Sequence, residues 1–322
     1  MKSVNRILVT GGLGFIGSHL VDELLRMDKE VYVLDNLSSG ILNNLDSNKN
    51  NPLLHIIRGD TRNINTILKN ISKIDVVFHE AAIASVTKSV IDPKFVFNSN
   101  VFSTLEILDY CIKENVKRII FASSSAVYGN PTEEKLTEKL PCKPSSPYGA
   151  SKLAAEGYLN AYWETYGLES VSLRYFNVYG PRQSNNEYSG VITIFANKLL
   201  KNEPAVIYGD GNQMRDFVHI QDIVQANILA MESKNAIGEV FNIGTGQGTK
   251  IINLLDVISQ LLGNNEENHI FAPQRKGDIN ISLASIEKAK SLLNYAPKVS
   301  LECGLKSLIK WTEEKIHNNV NT

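Results

Sequence analysis

A short apolar run, Arg6–Thr10 (RILVT), leads straight into Gly11-Gly12-Leu13-Gly14-Phe15-Ile16-Gly17, and an amphipathic stretch, Ile16–Met27, follows. No other feature of the chain restricts its fold so strongly. Glycines at these intervals let a backbone turn sharply between a buried strand and a helix and come close to another group with no side chain between. The loop satisfies G-x-G-x-x-G from Gly12 and G-x-x-G-x-x-G from Gly11. The amides of such a turn, with the positive end of the helix behind them, suit a pyrophosphate. Many tight turns carry glycines, so the context decides: strand, loop and helix come in the required order. A second strand, Val31–Asp35 (VYVLD), then ends on a carboxylate. There a carboxylate accepts hydrogen bonds from a ribose 2′-hydroxyl and repels a 2′-phosphate, which predicts NAD rather than NADP. The plainer alternative makes Asp35 a turn residue at a strand end, helped by Asn36.

Three further runs, His55–Asp60, Asp75–His79 and Arg118–Ala122, read as buried strands, and Val171–Arg174 follows as a sixth. Helical patterns lie between them, notably Pro93–Asn115 and Tyr148–Tyr166, the latter with Ala154, Ala155, Tyr158, Leu159 and Tyr162 as an apolar stripe. This alternation predicts an α/β chain, a Rossmann-type doubly wound parallel sheet with helices on both faces. Beyond about residue 176, glycines and prolines punctuate shorter elements. A dinucleotide domain over 1–175 and a smaller α+β substrate lobe over 176–322 are therefore expected, with Val206–Tyr208 or Val240–Ile243 free to return to the main sheet. Asn43–Asn51 reads as a solvated loop.

Composition narrows the partners. With 33 basic and 34 acidic side chains the net charge is −1, so nothing favours nucleic acid or an anionic membrane. No apolar run approaches the roughly 18–20 residues that span a bilayer. The segment before the first glycines is too short for a secretory signal. Cys111, Cys142 and Cys303 are far apart and odd in number, which predicts reduced thiols and a cytoplasmic setting. His79-Glu80 lacks the second histidine of a zinc helix, since Ile83 stands in that place, so no metal is expected.

Chemistry-bearing residues fall where strands should meet the cofactor: Asp60-Thr61, Glu80-Ala81-Ala82 and the hydroxyls Ser123-Ser124-Ser125. Some twenty residues later, SPYGASK places Tyr148 and Lys152 four apart, on one face of a helix. Alone, that spacing describes many surface pairs. With the glycine loop and a serine-bearing strand before it, an acid–base device is expected. A free tyrosine has a pKa of about 10, and an adjacent ammonium would draw it down toward neutrality. Ser124 would hold the substrate oxygen while its proton moves.

TGGLGFIGSHL, DNLSSG, SSSAVYG, SPYGASK, RYFNVYGPRQ and GDGNQMRDFVHIQD together resemble the extended short-chain dehydrogenase/reductases that act on nucleotide sugars, along essentially the whole chain. Within that family the likeness is greatest to UDP-glucose and UDP-N-acetylglucosamine 4-epimerases. The resemblance implies NAD contacts at Gly11, Gly14, Phe15, Ile16, Gly17, Asp35, Asn36, Asp60, Thr61, Ala81, Ala82, Tyr148, Lys152 and Phe176. It implies catalysis by Tyr148, Lys152 and Ser124 through a transient 4-keto sugar. Substrate contacts would fall on Asn177, Tyr208, Arg215, Arg275, Asp278 and Ser282, in addition to Ser124 and Tyr148. It also implies a homodimer joined by a four-helix bundle of Pro93–Asn115 and Tyr148–Tyr166 from each subunit.

Several relatives begin with the same oxidation. Dehydratases of the family carry Asp-Glu where Ser125-Ala126 stands here, and UDP-glucuronate decarboxylases carry Glu at Ala126. A hydroxyl and a methyl cannot replace those acids. UDP-glucuronate 4-epimerases stay open as an alternative, although they tend to have Thr at the place of Asn177. A non-catalytic NAD-binding regulator is the remaining reading, weakened by the presence of Ser124, Tyr148 and Lys152. Ser282 lies where family members with a tyrosine accept only glucose and galactose. Serine there leaves room for an N-acetyl group.

Overall fold

The computed structural model describes residues 5–71, 73–184, 190–263, 268–274 and 279–320. Six strands alternate with helices: β1 (Arg6–Thr10), β2 (Glu30–Asp35), β3 (Leu54–Arg58), β4 (Val76–His79), β5 (Arg118–Ser124) and β6 (Glu169–Tyr175). With Val240–Ile243 they form a seven-stranded sheet in the order Val240–Ile243, β6, β5, β4, β1, β2, β3. Every pairing is parallel. The order reverses between β1 and β4, and the crevice at that switch point, beyond the carboxyl ends of the strands, is where such sheets bind ligands.

The strands are apolar almost throughout because both faces are covered. Ile7, Val9, Val31, Val33 and Phe78 join one core with helix Phe15–Arg26 and helix Ile220–Glu232. Leu8, Leu34, Val77, Ile119 and Phe121 join the other, against helices Ser103–Lys113 and Pro147–Tyr166. Successive residues of one strand thus serve opposite cores. A third cluster, around Phe195, Leu254 and Leu305, packs helices Val191–Leu200, Ile251–Leu261 and Leu301–Val320 together. Short strands surround it. Asn177–Tyr179 pairs with Phe217–His219, and Met214–Arg215 lies between Thr249–Lys250 and Ile281–Ser282.

Two expectations change in ways that matter for the site. Pro93–Asn115 is not one regular helix: Pro93–Phe97 and Ser103–Lys113 are joined by a wide π turn at Asn98–Phe102. Such bulges re-aim a side chain. Here Asn100 is buried, accepting from the Ile83 amide at 2.8 Å and donating to the Ile83 carbonyl at 3.2 Å and Ser151 Oγ at 3.0 Å. It ties the segment after β4 to helix Pro147–Tyr166. That helix buries Ser151, Lys152, Ala155, Glu156 and Leu159, whereas Ala154 and Tyr158 of the expected stripe are exposed. The inward face carries polar groups because partners wait on the sheet. Asn43–Asn51, expected as a loop, includes a 3-10 turn at Leu42–Asn48.

Candidate active site

The glycine loop fits the end of β4 closely. Gly11 has φ of +68°, and a Cβ there would stand 2.8 Å from the Ala81 Cα. A Cβ on Gly14 would lie 3.1 Å from the Gly11 carbonyl oxygen, and one on Gly17 would overlap it. Helix Phe15–Arg26 starts from Gly14 without a side-chain cap and without an acidic residue in its first turn. Its leading amides therefore point into the crevice for an anion. Asp35 closes β2, with Oδ2 accepting from the Leu13 amide at 3.0 Å and Oδ1 from the Leu37 amide at 2.8 Å. Each carboxylate oxygen keeps a lone pair for a ribose hydroxyl.

The adjoining wall is equally defined. Asn36 Nδ2 donates to Asp60 Oδ2 at 2.9 Å, and Arg62 grips both Asp60 oxygens at 2.8 Å. The Arg62 hydrogen bonds hold the Asp60 carboxyl far below the ordinary carboxylate range. Thr61, just beyond it, is buried. The Ala81 amide donates to Thr10 Oγ1 at 3.3 Å, and Thr10 Oγ1 meets His79 Nδ1 at 2.8 Å, with Thr104 Oγ1 3.0 Å from His79 Nε2. Burial first, then the Lys152 charge, pushes His79 down to about 3, so its imidazole is neutral and fixes the strand end. Among the described residues no cluster could hold a metal. A dinucleotide fits the cradle: every glycine that the close approaches require is present, and the helix start is open.

The reacting groups meet at the end of β5. Helix Pro147–Tyr166 opens on Ser146, whose side chain accepts from the Gly149 amide at 3.1 Å, with Pro147 in its first turn. Tyr148 follows at once and lines one cleft with Ser124. Lys152, one turn on and 3 % exposed, donates to the Ala122 carbonyl at 2.7 Å and lies 4.8 Å from the centre of the Phe121 ring. Burial lowers Lys152 to about 8, opposed by the charges of Glu80 and Glu156. Tyr148 departs from expectation. Burial pushes its phenol up, and the opposing effect comes from the Ser124 hydroxyl rather than from Lys152. Lys152 Nζ is instead turned to the Ala122 carbonyl.

A cleft of about 230 Å³ opens over this group, lined by Ser124, Tyr148, Phe176, Asn177, Arg215 and Ser282 among others. Arg215 and Ser282 are register partners on neighbouring short strands, so each fixes the other's place at the rim. Arg215 donates to the carbonyls of Met214 at 2.9 Å and Asn280 at 3.4 Å. Asn177 is held through the Asp216 carbonyl, which accepts from its amide at 3.0 Å and its Nδ2 at 3.3 Å. Ser125 and Ala126 also line the cleft, together with Val86, Pro131 and Leu136, and bring no acid into it. Tyr208 ends the strand Ala205–Tyr208 and does not line this cleft. Arg275 and Asp278 lie outside the described residues.

Sequence reasoning passed over the polar groups beneath the site. Ser123 Oγ donates to Glu156, and Arg174 holds the same carboxylate at 2.9 and 2.7 Å. Arg174 also donates to the Tyr128 hydroxyl at 2.9 Å, and Tyr128 to Asn242 Oδ1 at 2.7 Å. Asn100 was missed as well, and Glu80, singled out for its place at a strand end, was given no partner or role. Glu156 could have been found from its place four residues after Lys152, on the face that meets the sheet.

A parallel sheet with a glycine cradle and a serine–tyrosine–lysine group at the end of its central strand defines a nicotinamide-dependent enzyme of the tyrosine-dependent dehydrogenase type. Residues 7–244 match the NAD dependent epimerase/dehydratase family. The chain is 37% identical to the UDP-glucose 4-epimerase of Mycolicibacterium smegmatis over 96% of its own length and 99% of that protein's. It is similar in structure to a UDP-glucose 4-epimerase from Thermotoga maritima solved with UDP-glucose, with TM-score 0.91, 40% identity and coverage of 97% and 99% of the two chains. A UDP-N-acetylglucosamine 4-epimerase from Methanobrevibacter ruminantium, in complex with UDP-N-acetylmuramic acid, gives TM-score 0.91 at 41% identity, covering 98% and 100%. The chain belongs to the NAD dependent epimerase/dehydratase family.

Proposed function

We infer that this protein is an NAD-dependent UDP-hexose 4-epimerase, interconverting UDP-glucose with UDP-galactose and accepting the N-acetylated pair. The observation that carries this reading is the single cleft that gathers Ser124, Tyr148, Asn177, Arg215 and Ser282 at the mouth of the dinucleotide crevice. The epimerase relatives support the same conclusion. In this reading Tyr148 takes the proton of the sugar 4-hydroxyl and returns it, while Ser124 donates to the same oxygen. Bound NAD supplies the hydride acceptor and donor, and its oxidised ring adds the positive charge that favours the phenolate. Lys152, charged below about pH 8, is assigned to the nicotinamide ribose. With no carboxyl group at Ser125 or Ala126 to take the C5 proton or protonate a departing C6 hydroxyl, the 4-keto sugar is left to be reduced again, on either face.

The substrate's diphosphate calls for cationic donors, which Arg215 supplies at the rim. Arg275 is proposed beside it, with Asp278 at the uridine ribose and Tyr208 at the uracil. Ser282, small and buried beside Arg215, leaves space for a 2-acetamido group. Residues 1–175 serve chiefly the cofactor and 176–322 chiefly the substrate. A homodimer is proposed because Phe97, Phe102, Tyr158 and Tyr166 are exposed on the segments expected to pair, and Val90 and Ile91 are exposed on the helix Val86–Ile91 just before them. No described helix is long and apolar enough to cross a membrane, in keeping with a cytoplasmic enzyme. Purified protein incubated separately with UDP-glucose, UDP-N-acetylglucosamine and UDP-glucuronate, without added NAD, should convert the first two to their 4-epimers. Conversion of UDP-glucuronate alone would overturn the sugar assignment.

A further inference from the structure

Glu80 is a charged residue in a place where the fold needs none. It follows β4 directly, between His79 and Ala81, at the floor of the crevice. Three elements of the sheet and its cover converge on it. Tyr175, the last residue of β6, donates its hydroxyl to Glu80 Oε1 at 2.9 Å. Asn227, fully buried on helix Ile220–Glu232, donates to the Tyr175 hydroxyl at 2.7 Å and to the Ile223 carbonyl at 2.9 Å. The Ile223 carbonyl can only accept, so it fixes the orientation of the Asn227 amide and makes Asn227 the donor to Tyr175. The phenol proton of Tyr175 is thereby committed to Glu80. The chain Asn227–Tyr175–Glu80 has one direction, and its end is an acceptor oxygen.

His79 is the register partner of Phe121, so Glu80 comes beside Ala122, whose carbonyl accepts from the buried Lys152 Nζ at 2.7 Å, and the two charges act on each other there. Lys152 meets few other charges. Its own helix contributes Glu156, whose oxygens are held by Arg174 of β6 and Ser123 of β5, and Tyr148 one turn before it. From β4 comes the neutral His79, from β5 the Phe121 ring and the Ala122 carbonyl, and from β6 Tyr175. Glu156 is shared with Arg174 and Ser123, and of the two carboxylates Glu80 raises the lysine more.

We propose that Glu80 is a positioning residue of the reaction, the counter-charge that keeps Lys152 an ammonium ion in the crevice, with Tyr175 and Asn227 holding its carboxylate for that task. The account rests on the epimerase reading only for its kinetic consequence. Burial raises Glu80 to about 7, and burial lowers Lys152 to about 8. Both are charged between those values, and the stabilisation of the ammonium is lost as pH rises through the lysine's midpoint. Removing the carboxylate takes away a contribution that raises Lys152, so its midpoint must fall.

Glu80→Gln keeps the size of the side chain and the oxygen that accepts from Tyr175, but removes the charge. Lysine 13Cε resonances, with Lys152 assigned through Lys152→Met, should titrate about one pH unit lower in this variant. A drop of that size would reduce the charged fraction roughly fivefold at pH 8 and hardly at pH 6, so the alkaline limb of kcat should move with it. Glu80→Asp, which keeps the charge, should recover most of the shift. Tyr175→Phe removes the hydrogen bond that keeps Glu80 ionised near neutrality, and it should lower the Lys152 midpoint in the same direction. A folded Glu80→Gln with the wild-type Lys152 midpoint and an unchanged pH profile would overturn the proposal. If Glu80→Gln does not fold, a wild-type midpoint in Tyr175→Phe would do so. Because the titration needs no substrate, it decides this point even for a protein that proves inert toward every UDP-sugar.

Discussion

The pair Glu156–Arg174 offers the sharpest quantitative test of the packing beneath the site. Both side chains are 6 % exposed, and the guanidinium holds the carboxylate through two hydrogen bonds of 2.9 and 2.7 Å. Breaking a buried pair by removing one partner costs about 3–5 kcal/mol, because the other charge is left in a medium that solvates it poorly. Glu156→Gln keeps the shape and one oxygen acceptor, so the low end, about 3 kcal/mol, applies. Unfolding entropy of roughly 2.1 cal/mol/K per residue gives about 0.7 kcal/mol/K for 322 residues. The thermal midpoint should therefore fall by about 4 °C when followed by calorimetry with NAD held constant. Glu156→Leu combined with Arg174→Met should lose much less than the sum of the single changes, since well-packed apolar replacements of a buried pair are often neutral. A midpoint within about 1 °C of wild type for Glu156→Gln, or additive losses in the double variant, would refute the claim that these charges depend on each other.

Other expectations follow from single contacts. Gly11→Ala meets both a left-handed backbone and the Ala81 Cα 2.8 Å away. The backbone alone costs about 1–2 kcal/mol, so NAD affinity measured by fluorescence titration should fall at least tenfold. Ser282→Tyr should abolish conversion of UDP-N-acetylglucosamine while sparing that of UDP-glucose, and retained activity on the acetamido sugar would contradict the role given to Ser282. Phe97→Glu with Tyr166→Glu places charges on the exposed apolar helix face and should give a monomer in sedimentation analysis, against a dimer for the wild type.

The alternation of β-branched strands and helices was legible because a parallel sheet covered on both faces must be written in continuous apolar runs, as β1, β4 and β5 are. The glycine loop was legible because no other side chain fits where Gly11 passes Ala81. Helix Pro147–Tyr166 shows where such reading fails. Its apolar side chains at Ala154 and Tyr158 are turned outward, and the face that enters the protein carries Ser151, Lys152 and Glu156. Hydrophobicity marks what water rejects, but it cannot tell a core from a subunit interface, nor recognise polar residues whose partners come from distant strands. The partners of Glu80, and Arg174 itself, escaped for the same reason: Tyr175, Asn227 and Ser123 come from elsewhere in the sequence, and only the folded sheet brings them together. The bulge at Asn98–Phe102, which turns Asn100 onto Ile83, leaves no mark in the periodicity of the segment.

The central claim is that Tyr148 moves the proton of the sugar 4-hydroxyl while NAD stays bound. Tyr148→Phe removes one oxygen from the site and leaves the glycine cradle, Asp35 and Lys152 in place. The most direct measurement follows UDP-glucose with the wild type and with Tyr148→Phe, resolving UDP-galactose by chromatography and quantifying NAD that co-purifies with each protein. The account predicts galactose epimer from the wild type, a rate lower by at least about 10²-fold in the variant, and equal NAD content in both. Wild-type turnover by Tyr148→Phe would contradict it.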